Sequence, residues 1–229
     1  MNLYFLVEGE ETEMQVYSRW IEYLLGFRRV QTPQEAVDKN YYLVCGYGYP
    51  NTVKNELRNA IATINDNPGK FHHLVLCLDS DESSIQERLQ YVDDVINENN
   101  LLLEQSCFLT TIVQHRCIET WFLGNKAVYS RQPNTPDFIE FARYYSVHDN
   151  DPESMGKHRF RNHAHFHEKY LRAMFAEKNL HYHKNNPRVV CQPSYIEQLQ
   201  KRVSEPEAHL QSLKKFFDFC ISVKASITP

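Results

Sequence analysis

The chain has 229 residues, of which 42% are hydrophobic and 24% are charged, as is typical of a globular protein. A chain of this length buries about 70% of its unfolded surface, so one large domain, or a domain with an extension, is expected. It contains no eighteen-residue apolar run, no signal-peptide pattern and six scattered cysteines without a C-x-x-C pair. These features predict a cytoplasmic protein without a membrane span, a disulfide framework or a zinc ribbon.

The net charge of −4 conceals an uneven distribution along the chain. Residues 151–229 hold 13 Lys and Arg against 8 Asp and Glu, a balance of +5, which leaves −9 for residues 1–150. An acidic part suits a site that gathers divalent cations, and a basic part suits a polyanion. An unevenly charged solvated surface gives the same asymmetry, so charge by itself leaves both interpretations open.

Residues 1–112 alternate between short apolar runs and longer helical patterns. The expected strands are residues 3–7, 41–45, 74–78 and 107–113. Apolar residues at helical spacing follow the first three strands, as in successive βα units. The pattern predicts an α/β fold with a mostly parallel, four-stranded, Rossmann-like sheet flanked by helices.

After residue 113 this alternation stops. Helices are expected at about 118–123, 138–145, 164–178, 194–203 and 207–223, and residues 148–155 have the composition of a linker. The chain is therefore expected to consist of an α/β core at residues 1–125 and a basic, helical C-terminal extension at residues 126–229.

Acidic residues follow two of the four expected strands. Glu8 begins the segment Glu-Gly-Glu-Glu-Thr-Glu after the first strand, and Asp79 and Asp81 follow the third. Ligands of open parallel sheets bind at the carboxyl ends of the strands. Clustered carboxylates repel one another unless a cation neutralises them, and all-oxygen ligation favours Mg²⁺ or Mn²⁺. A simpler alternative is that Asp79 and Asp81 cap a helix while Glu8 begins a turn.

These motifs resemble the Toprim domain that topoisomerases, primases and OLD-type nucleases share. The similarity covers about residues 1–125 and is carried by Val7-Glu8-Gly9, Thr12-Glu13 and Leu78-Asp79-Ser80-Asp81. The Glu-Gly-x-x-Thr-Glu form is closer to the OLD-like, small stand-alone bacterial branch. The resemblance implies a Toprim-like core in which Glu8 is a general acid or base and a metal ligand, and in which Asp79 and Asp81 hold Mg²⁺.

Further residues belong to the expected site. Glu13 and Glu119 are candidate additional ligands, although the long turn after the first strand leaves open whether Glu11 or Glu13 faces the metal. Lys184 is expected to neutralise charge in the transition state. The expected catalytic residues are therefore Glu8, Asp79, Asp81 and Lys184, and the expected metal ligands are Glu8, Glu13, Asp79, Asp81 and Glu119.

Basic and aromatic residues alternate in two segments of the C-terminal extension. Such residues contact phosphates and stack on bases, with Phe160 and Tyr182 as the stacking candidates. The expected nucleic-acid contacts are Lys157, Arg159, Arg161, Lys184 and Arg188. A solvated helix end is the alternative interpretation of both segments.

The sequence thus predicts a Mg²⁺- or Mn²⁺-dependent nuclease that acts on DNA or RNA. Gly69-Lys70 precedes Phe71 rather than Ser or Thr, so a phosphate-binding loop for ATP is not expected. The OLD-like resemblance implies an anti-phage effector controlled by an ABC-type ATPase partner. A non-catalytic Toprim-like module that docks onto an ATPase or nucleic acid is the alternative. The sequence leaves open the substrate specificity, the number of metal ions and the oligomeric state. A homo-oligomer is one of the possible states.

Overall fold

The computed structural model of the chain describes residues 1–227. Within these residues, five strands form one sheet in the order β2-β3-β1-β4-β5. The strands are Asn2–Val7 (β1), Arg28–Val30 (β2), Asn40–Cys45 (β3), His73–Asp79 (β4) and Phe108–Gln114 (β5). Strand β1 pairs in parallel with β3 and β4, and β2 pairs in parallel with β3. The prediction of an α/β fold with a parallel sheet is therefore confirmed.

Eight α-helices accompany the sheet within residues 1–227. They are Thr12–Leu25 (α1), Leu57–Asn65 (α2), Ile85–Glu98 (α3), Ile118–Phe122 (α4), Pro136–Tyr144 (α5), His163–Ala176 (α6), Pro193–Val203 (α7) and Gln211–Ile227 (α8). A π-helical turn, Thr52–Glu56, leads into α2, and 3₁₀ turns lie at Pro33–Glu35 and Pro152–Ser154. None of the helices in this described part is long and apolar enough to cross a membrane.

The predicted strand count of four is wrong, because the segment that forms β2 carries no strand signal in the sequence. This strand has only three residues, Arg28–Val30, and the two arginines are exposed. Its segment therefore carries neither an apolar run nor a period-two alternation, which are the signals of a strand in a sequence. Pairing with β3 at the edge of the sheet decides its conformation.

The chain forms two compact units that interleave along the sequence. Within the described residues, unit 1 comprises Met1–Leu78, Ile85–Val113 and residues 219–227, whereas unit 2 comprises Asp79–Ser84 and Gln114–Asp218. The predicted domain division after residue 125 lies inside unit 2.

In unit 1, β1 is buried along its whole length. Tyr4 and Leu6 belong to a core cluster with Leu57 and Ile61 of the second helix. The Phe5 ring instead lies 6.2 Å from the ring of Tyr17 on α1. Burial of each large apolar side chain stabilises the fold by about 1.5–3 kcal/mol. The central strand is therefore specified by its apolar run, as a strand covered on both faces requires.

In unit 2, the stretch that was expected to be a linker, residues 148–155, is a structured segment. It contains the 3₁₀ turn Pro152–Ser154, and Glu153 within that turn is only 8% exposed. Its polar composition indicated a linker because the partners of these polar groups are distant in the sequence. Helix α8 also begins at Gln211 rather than 207, since Ala208 and Leu210 adopt positive φ angles that end any helix before them.

Candidate functional site

Glu8 directly follows β1 in unit 1, and the loop after β3 fixes it. The amide of Gly48 donates a hydrogen bond to the Glu8 carbonyl at 2.9 Å. The amide of Tyr49 donates to Glu8 Oε1 at 3.2 Å. Backbone groups therefore orient both the main chain and the carboxylate of Glu8 at the carboxyl end of the strand.

Glu13, rather than Glu11, is turned toward the strand ends of unit 1. A Cβ atom at Gly9 would overlap the Glu13 carboxylate. Burial raises the pKa of the Cys77 thiol in β4 to about 12, and the Glu13 charge adds to this increase. Glu11 is exposed, and its carbonyl accepts a hydrogen bond from the Gln15 side chain at 2.9 Å. The Glu13 carboxylate can lie over Gly9 because glycine has no side chain.

Unit 1 also contains a buried arginine that sequence reasoning did not identify. Arg88 on α3 is 4% exposed, and its guanidinium carbon lies 3.6 Å from the centroid of the Tyr49 ring. This contact is a cation–π interaction with the residue whose amide binds Glu8. A signal was present, because Arg88 lies three residues after Ile85 and four before Val92, on the apolar stripe of the helix.

The segment Asp79–Ser84 belongs to unit 2, where the residues after β5 hold it. The Asp81 amide donates to the Arg116 carbonyl at 2.9 Å, and Asp81 has a φ of 52°. Arg116 Nη1 donates to the carbonyls of Asp81 and Ser83 at 3.0 and 3.1 Å. Asp81 is therefore held in a left-handed conformation that a short polar side chain tolerates.

Asp79 and Glu119 share one neighbour in unit 2, the thiol of Cys117. Burial raises the pKa of Cys117 well above its ordinary value, and the charges of Glu119 and Asp79 raise it further. Both carboxylates therefore act electrostatically on the start of α4. The Cys117 thiol stays protonated at neutral pH because this environment disfavours a thiolate.

Glu82, the last acidic residue of the Asp79–Ser84 segment, is bound by two basic residues. The amide and Nδ1 of His163 each lie 2.8 Å from Glu82 Oε1, and Lys157 Nζ lies 3.1 Å from Oε2. Partial burial acts to raise the pKa of Glu82, but the hydrogen bonds from His163 and Lys157 lower it to about 2. Lys157, an expected phosphate contact, thus pairs with a carboxylate of its own chain.

Glu119, an expected metal ligand, is 2% exposed and is bound by Tyr182 and Lys184. The Tyr182 hydroxyl donates to Glu119 Oε1 at 2.9 Å, and Lys184 Nζ lies 3.4 Å from the same oxygen. A second carboxylate, that of Glu168, lies 3.7 Å from Lys184 Nζ. Burial acts to lower the pKa of Lys184, but these two carboxylates raise it above its ordinary value. Lys184 therefore remains charged, with carboxylates on both sides.

The expectation that Tyr182 stacks on bases is wrong. Its side chain is 2% exposed and its ring packs against Phe122 and Phe175 at centroid distances of 6.0 and 6.2 Å. The aromatic ring faces the interior of unit 2 because its hydroxyl finds the buried carboxylate of Glu119 there.

The remaining expected phosphate contacts differ in how they are paired. Arg159 Nη1 lies 2.8 Å from Glu140 Oε1. Arg161 and Arg188 are exposed, and neither guanidinium takes part in an ion pair within residues 1–227. These two arginines thus carry the positive charge of the set that is exposed and not paired with a carboxylate in residues 1–227.

The structure shows no preformed metal-binding group in residues 1–227. Within the described part of the chain, no three or more His, Cys, Asp or Glu side chains are grouped so that they could hold an ion. His167 on α6 is completely buried, its Nδ1 lies 2.7 Å from Thr120 Oγ1, and burial lowers its pKa to about 3. It is a neutral core residue at physiological pH.

Comparisons with protein-family models, curated proteins and solved structures gave no match to this chain. Its chemistry must therefore be inferred from its own residues. The candidate functional residues of unit 1 are Glu8 and Glu13 at the strand ends, with Arg88 beside the Glu8 loop. In unit 2 they are Asp79 and Asp81, on a segment fixed by Arg116.

Proposed function

We propose that the chain is a Toprim-like, metal-dependent nuclease that hydrolyses phosphodiester bonds of DNA or RNA. One observation carries the proposal: acidic residues occur at the ends of two neighbouring parallel strands. Val7 lies opposite Cys77 in the register of β1 and β4, Glu8 follows β1, and Asp79 is the last residue of β4. The carboxyl ends of neighbouring parallel strands are where open α/β sheets bind their ligands.

The donor chemistry fits Mg²⁺ or Mn²⁺, since carboxylate oxygens are the ligands that these hard cations prefer. Proteins commonly bind Mg²⁺ through one or two carboxylates together with substrate phosphates, so a preformed three-ligand group is not required. Glu8, Asp79 and Asp81 are the proposed ligands, and Glu13 is a further one. A bound ion supplies an activated water and stabilises charge on the phosphate. Glu119 ranks after these residues because Tyr182 and Lys184 already bind it.

Glu8 is also the proposed general acid or base. Its carboxylate is oriented by the Tyr49 amide, and the Tyr49 ring in turn packs on the Arg88 guanidinium. A group that transfers a proton must be held in one position relative to the reacting atoms. The hydrogen bond from Tyr49 provides this orientation from the backbone, and Arg88 supports it as a positioning residue.

Control of the activity is proposed to come from an ABC-type ATPase partner in a cytoplasmic defence system against phage. The support for this proposal is the resemblance of the Glu8 and Asp79 motifs to those of OLD-like nucleases. The sequence Gly69-Lys70-Phe71 also lacks the Ser or Thr of a phosphate-binding loop, so ATP hydrolysis is assigned to another chain.

The nuclease proposal is tested by cleavage of single- and double-stranded DNA and RNA with Mg²⁺, Mn²⁺ or EDTA. The full chain is used alone and with any ATPase that co-purifies with it. Glu8→Gln, Asp79→Asn and Asp81→Asn are each expected to lower the cleavage rate at least about 100-fold, because each removes a carboxylate that acts on the reacting phosphate.

Asp93→Asn is the matched control, since it removes an exposed carboxylate of α3 and is expected to leave cleavage unchanged. Thermal unfolding of all four variants checks that the fold is intact. Cleavage that persists in EDTA, together with full activity of the three variants, would contradict the proposal. Nucleic-acid binding without cleavage under every condition would instead favour the non-catalytic binding module.

A further inference from the structure

Unit 2 contains a cavity of about 590 Å³ at α5, α6 and the segment that precedes α6. This volume lies within the range of about 300–1,000 Å³ that is common for small-molecule sites. None of the acidic residues proposed for hydrolysis lines it. The cavity is therefore a candidate binding site in its own right.

Three basic side chains line this cavity: Arg159, Lys169 and Arg172. Arg172 Nη2 lies 2.6 Å from Glu168 Oε1, and Arg159 is paired with Glu140. Arg159 and its partner Glu140 are 63% and 36% exposed, and exposed ion pairs contribute only about 0–1 kcal/mol, so an incoming anion can replace Glu140 at little cost. Glu168 is only 19% exposed and also accepts from Arg172 Nε at 2.8 Å, so it holds the Arg172 guanidinium in place beside the cavity. Lys169 is exposed and forms no ion pair within residues 1–227.

The same cavity has an aromatic and apolar wall. Phe141 and Phe160 line it together with the small residues Ala173 and Ala176. The ring of Phe160 is stacked on Phe166 at a centroid distance of 5.2 Å, which fixes its plane. A fixed aromatic ring beside small side chains is a suitable surface for a flat ring, and base–aromatic stacking contributes about 1–3 kcal/mol.

Thr135, the residue before α5, also lines the cavity, and its amide is already bound. The Asn134 amide donates a hydrogen bond to Glu177 Oε2 at 2.9 Å, and the Thr135 amide donates one to Glu177 Oε1 at 2.6 Å. The basic side chains therefore provide the positive charge that a phosphate requires. Asp137 also lines the cavity, and a carboxylate accepts hydrogen bonds from the exocyclic amino group of cytosine.

We propose that this cavity binds a nucleoside 5′-monophosphate unit, either a free nucleotide or the 5′-terminal nucleotide of a nucleic-acid strand. The base lies against Phe160 and Phe141, where Asp137 accepts from its amino group. The phosphate is bound by Lys169 and Arg172. The basic, aromatic and acidic groups that line the cavity match the three chemical parts of such a ligand. The proposal does not depend on hydrolysis at the strand-end carboxylates.

Calorimetric titration of the full chain with cytidine 5′-monophosphate, in buffer with EDTA, tests this proposal. Cytidine, which lacks the phosphate, and ribose 5-phosphate, which lacks the base, are each expected to bind at least about tenfold more weakly. Lys169→Ala is expected to weaken binding of the monophosphate about tenfold or more, since it removes a charge-assisted contact. Phe160→Leu is expected to weaken it by removing the stacking surface.

Lys178→Ala is the matched control, because Lys178 is an exposed lysine near α6 that does not line the cavity. Glu8→Gln is expected to bind the nucleotide like the wild type, so a failure of the nuclease proposal leaves this test intact. Absence of saturable binding up to about 1 mM, or equal binding by Lys169→Ala and wild type, would overturn the proposal.

The source of the nucleotide is identified by competition with two otherwise identical single-stranded oligonucleotides. If only the 5′-phosphorylated one displaces cytidine monophosphate, the ligand is a strand end. If neither displaces it, the ligand is the free nucleotide. Displacement by both to the same extent would contradict recognition of a 5′-monophosphate unit.

Discussion

At the scale of single residues, backbone contacts decide which carboxylates face the strand ends of unit 1. Glu8 is oriented by the Tyr49 amide, and the Glu13 carboxylate occupies the space over Gly9. Glu11 is separated from Glu13 by one residue, yet it lies on the exposed side of the helix start. The periodicity of a helix places neighbours two residues apart on different faces, so Glu13 alone of the two is turned toward the strand ends.

A pair of substitutions distinguishes these two glutamates. Glu13→Gln is expected to lower cleavage at least about tenfold, whereas Glu11→Gln leaves it unchanged, because only Glu13 faces the strand ends. Gly9→Ala is expected to act like Glu13→Gln, since its methyl group displaces the carboxylate. The measurement is the cleavage rate at saturating Mg²⁺. A greater loss in Glu11→Gln than in Glu13→Gln would assign the role to the other residue.

At the scale of elements, the start of α8 is capped by acidic groups of the preceding 3₁₀ segment in unit 2. The Leu210 amide donates to Asp151 Oδ1 at 3.0 Å, and the Ser212 amide donates to Glu153 Oε1 at the same distance. The Ser212 hydroxyl also donates to Glu153 and accepts from Trp121 Nε1 at 2.7 Å. These bonds satisfy amides that every helix N-terminus leaves unpaired.

Burial at this helix start predicts a pH-dependent stability. Burial raises the pKa of Glu153 from 4.5 to about 7, although the hydrogen bonds from Ser212 act to lower it. The folded state therefore holds this proton more tightly than the unfolded state. The stabilisation is fully present below the unfolded value and is lost as the pH rises through about 7. We expect the wild type to lose about 3 kcal/mol relative to Glu153→Gln between about pH 4 and pH 8.

Urea unfolding of the two proteins across this pH range measures the difference. Glu207→Gln is the control because Glu207 is exposed, and its profile is expected to follow that of the wild type. Parallel pH profiles for the wild type and Glu153→Gln would show that Glu153 binds its proton equally in both states.

At the scale of the whole molecule, the contribution of the basic C-terminal part to nucleic-acid binding depends on which of its basic side chains already pair with carboxylates. Lys157 pairs with Glu82, Arg159 with Glu140 and Lys184 with Glu119. A paired cation must exchange its carboxylate before it can bind a phosphate. Arg161 and Arg188 are exposed without an ion pair in residues 1–227, so they are expected to contribute most to nucleic-acid binding.

The salt dependence of nucleic-acid affinity tests this expectation. Arg161→Ala and Arg188→Ala are each expected to reduce the slope of log affinity against log salt by about one unit, as the loss of one phosphate contact does. Lys201→Ala is the control, because it removes one exposed charge from the same basic part outside the proposed contacts. Equal effects of all three variants would show that binding responds only to total charge.

The sequence by itself determined the parallel α/β core and the positions of Glu8 and Asp79 at its strand ends. Both follow from apolar runs that are local in the sequence and long enough to mark a strand covered on two faces. The three-residue strand β2 carried no such signal, and pairing with β3 decided it.

Only the tertiary structure decided the partners of the polar side chains. Lys184 and Tyr182 bind Glu119, and His163 and Lys157 bind Glu82, across long stretches of chain. A buried carboxylate must find a donor, but a sequence pattern does not specify which distant donor reaches it. Periodicity specifies which face of an element is buried, whereas the hydrogen-bond and ion-pair partners of its polar groups depend on how the elements pack.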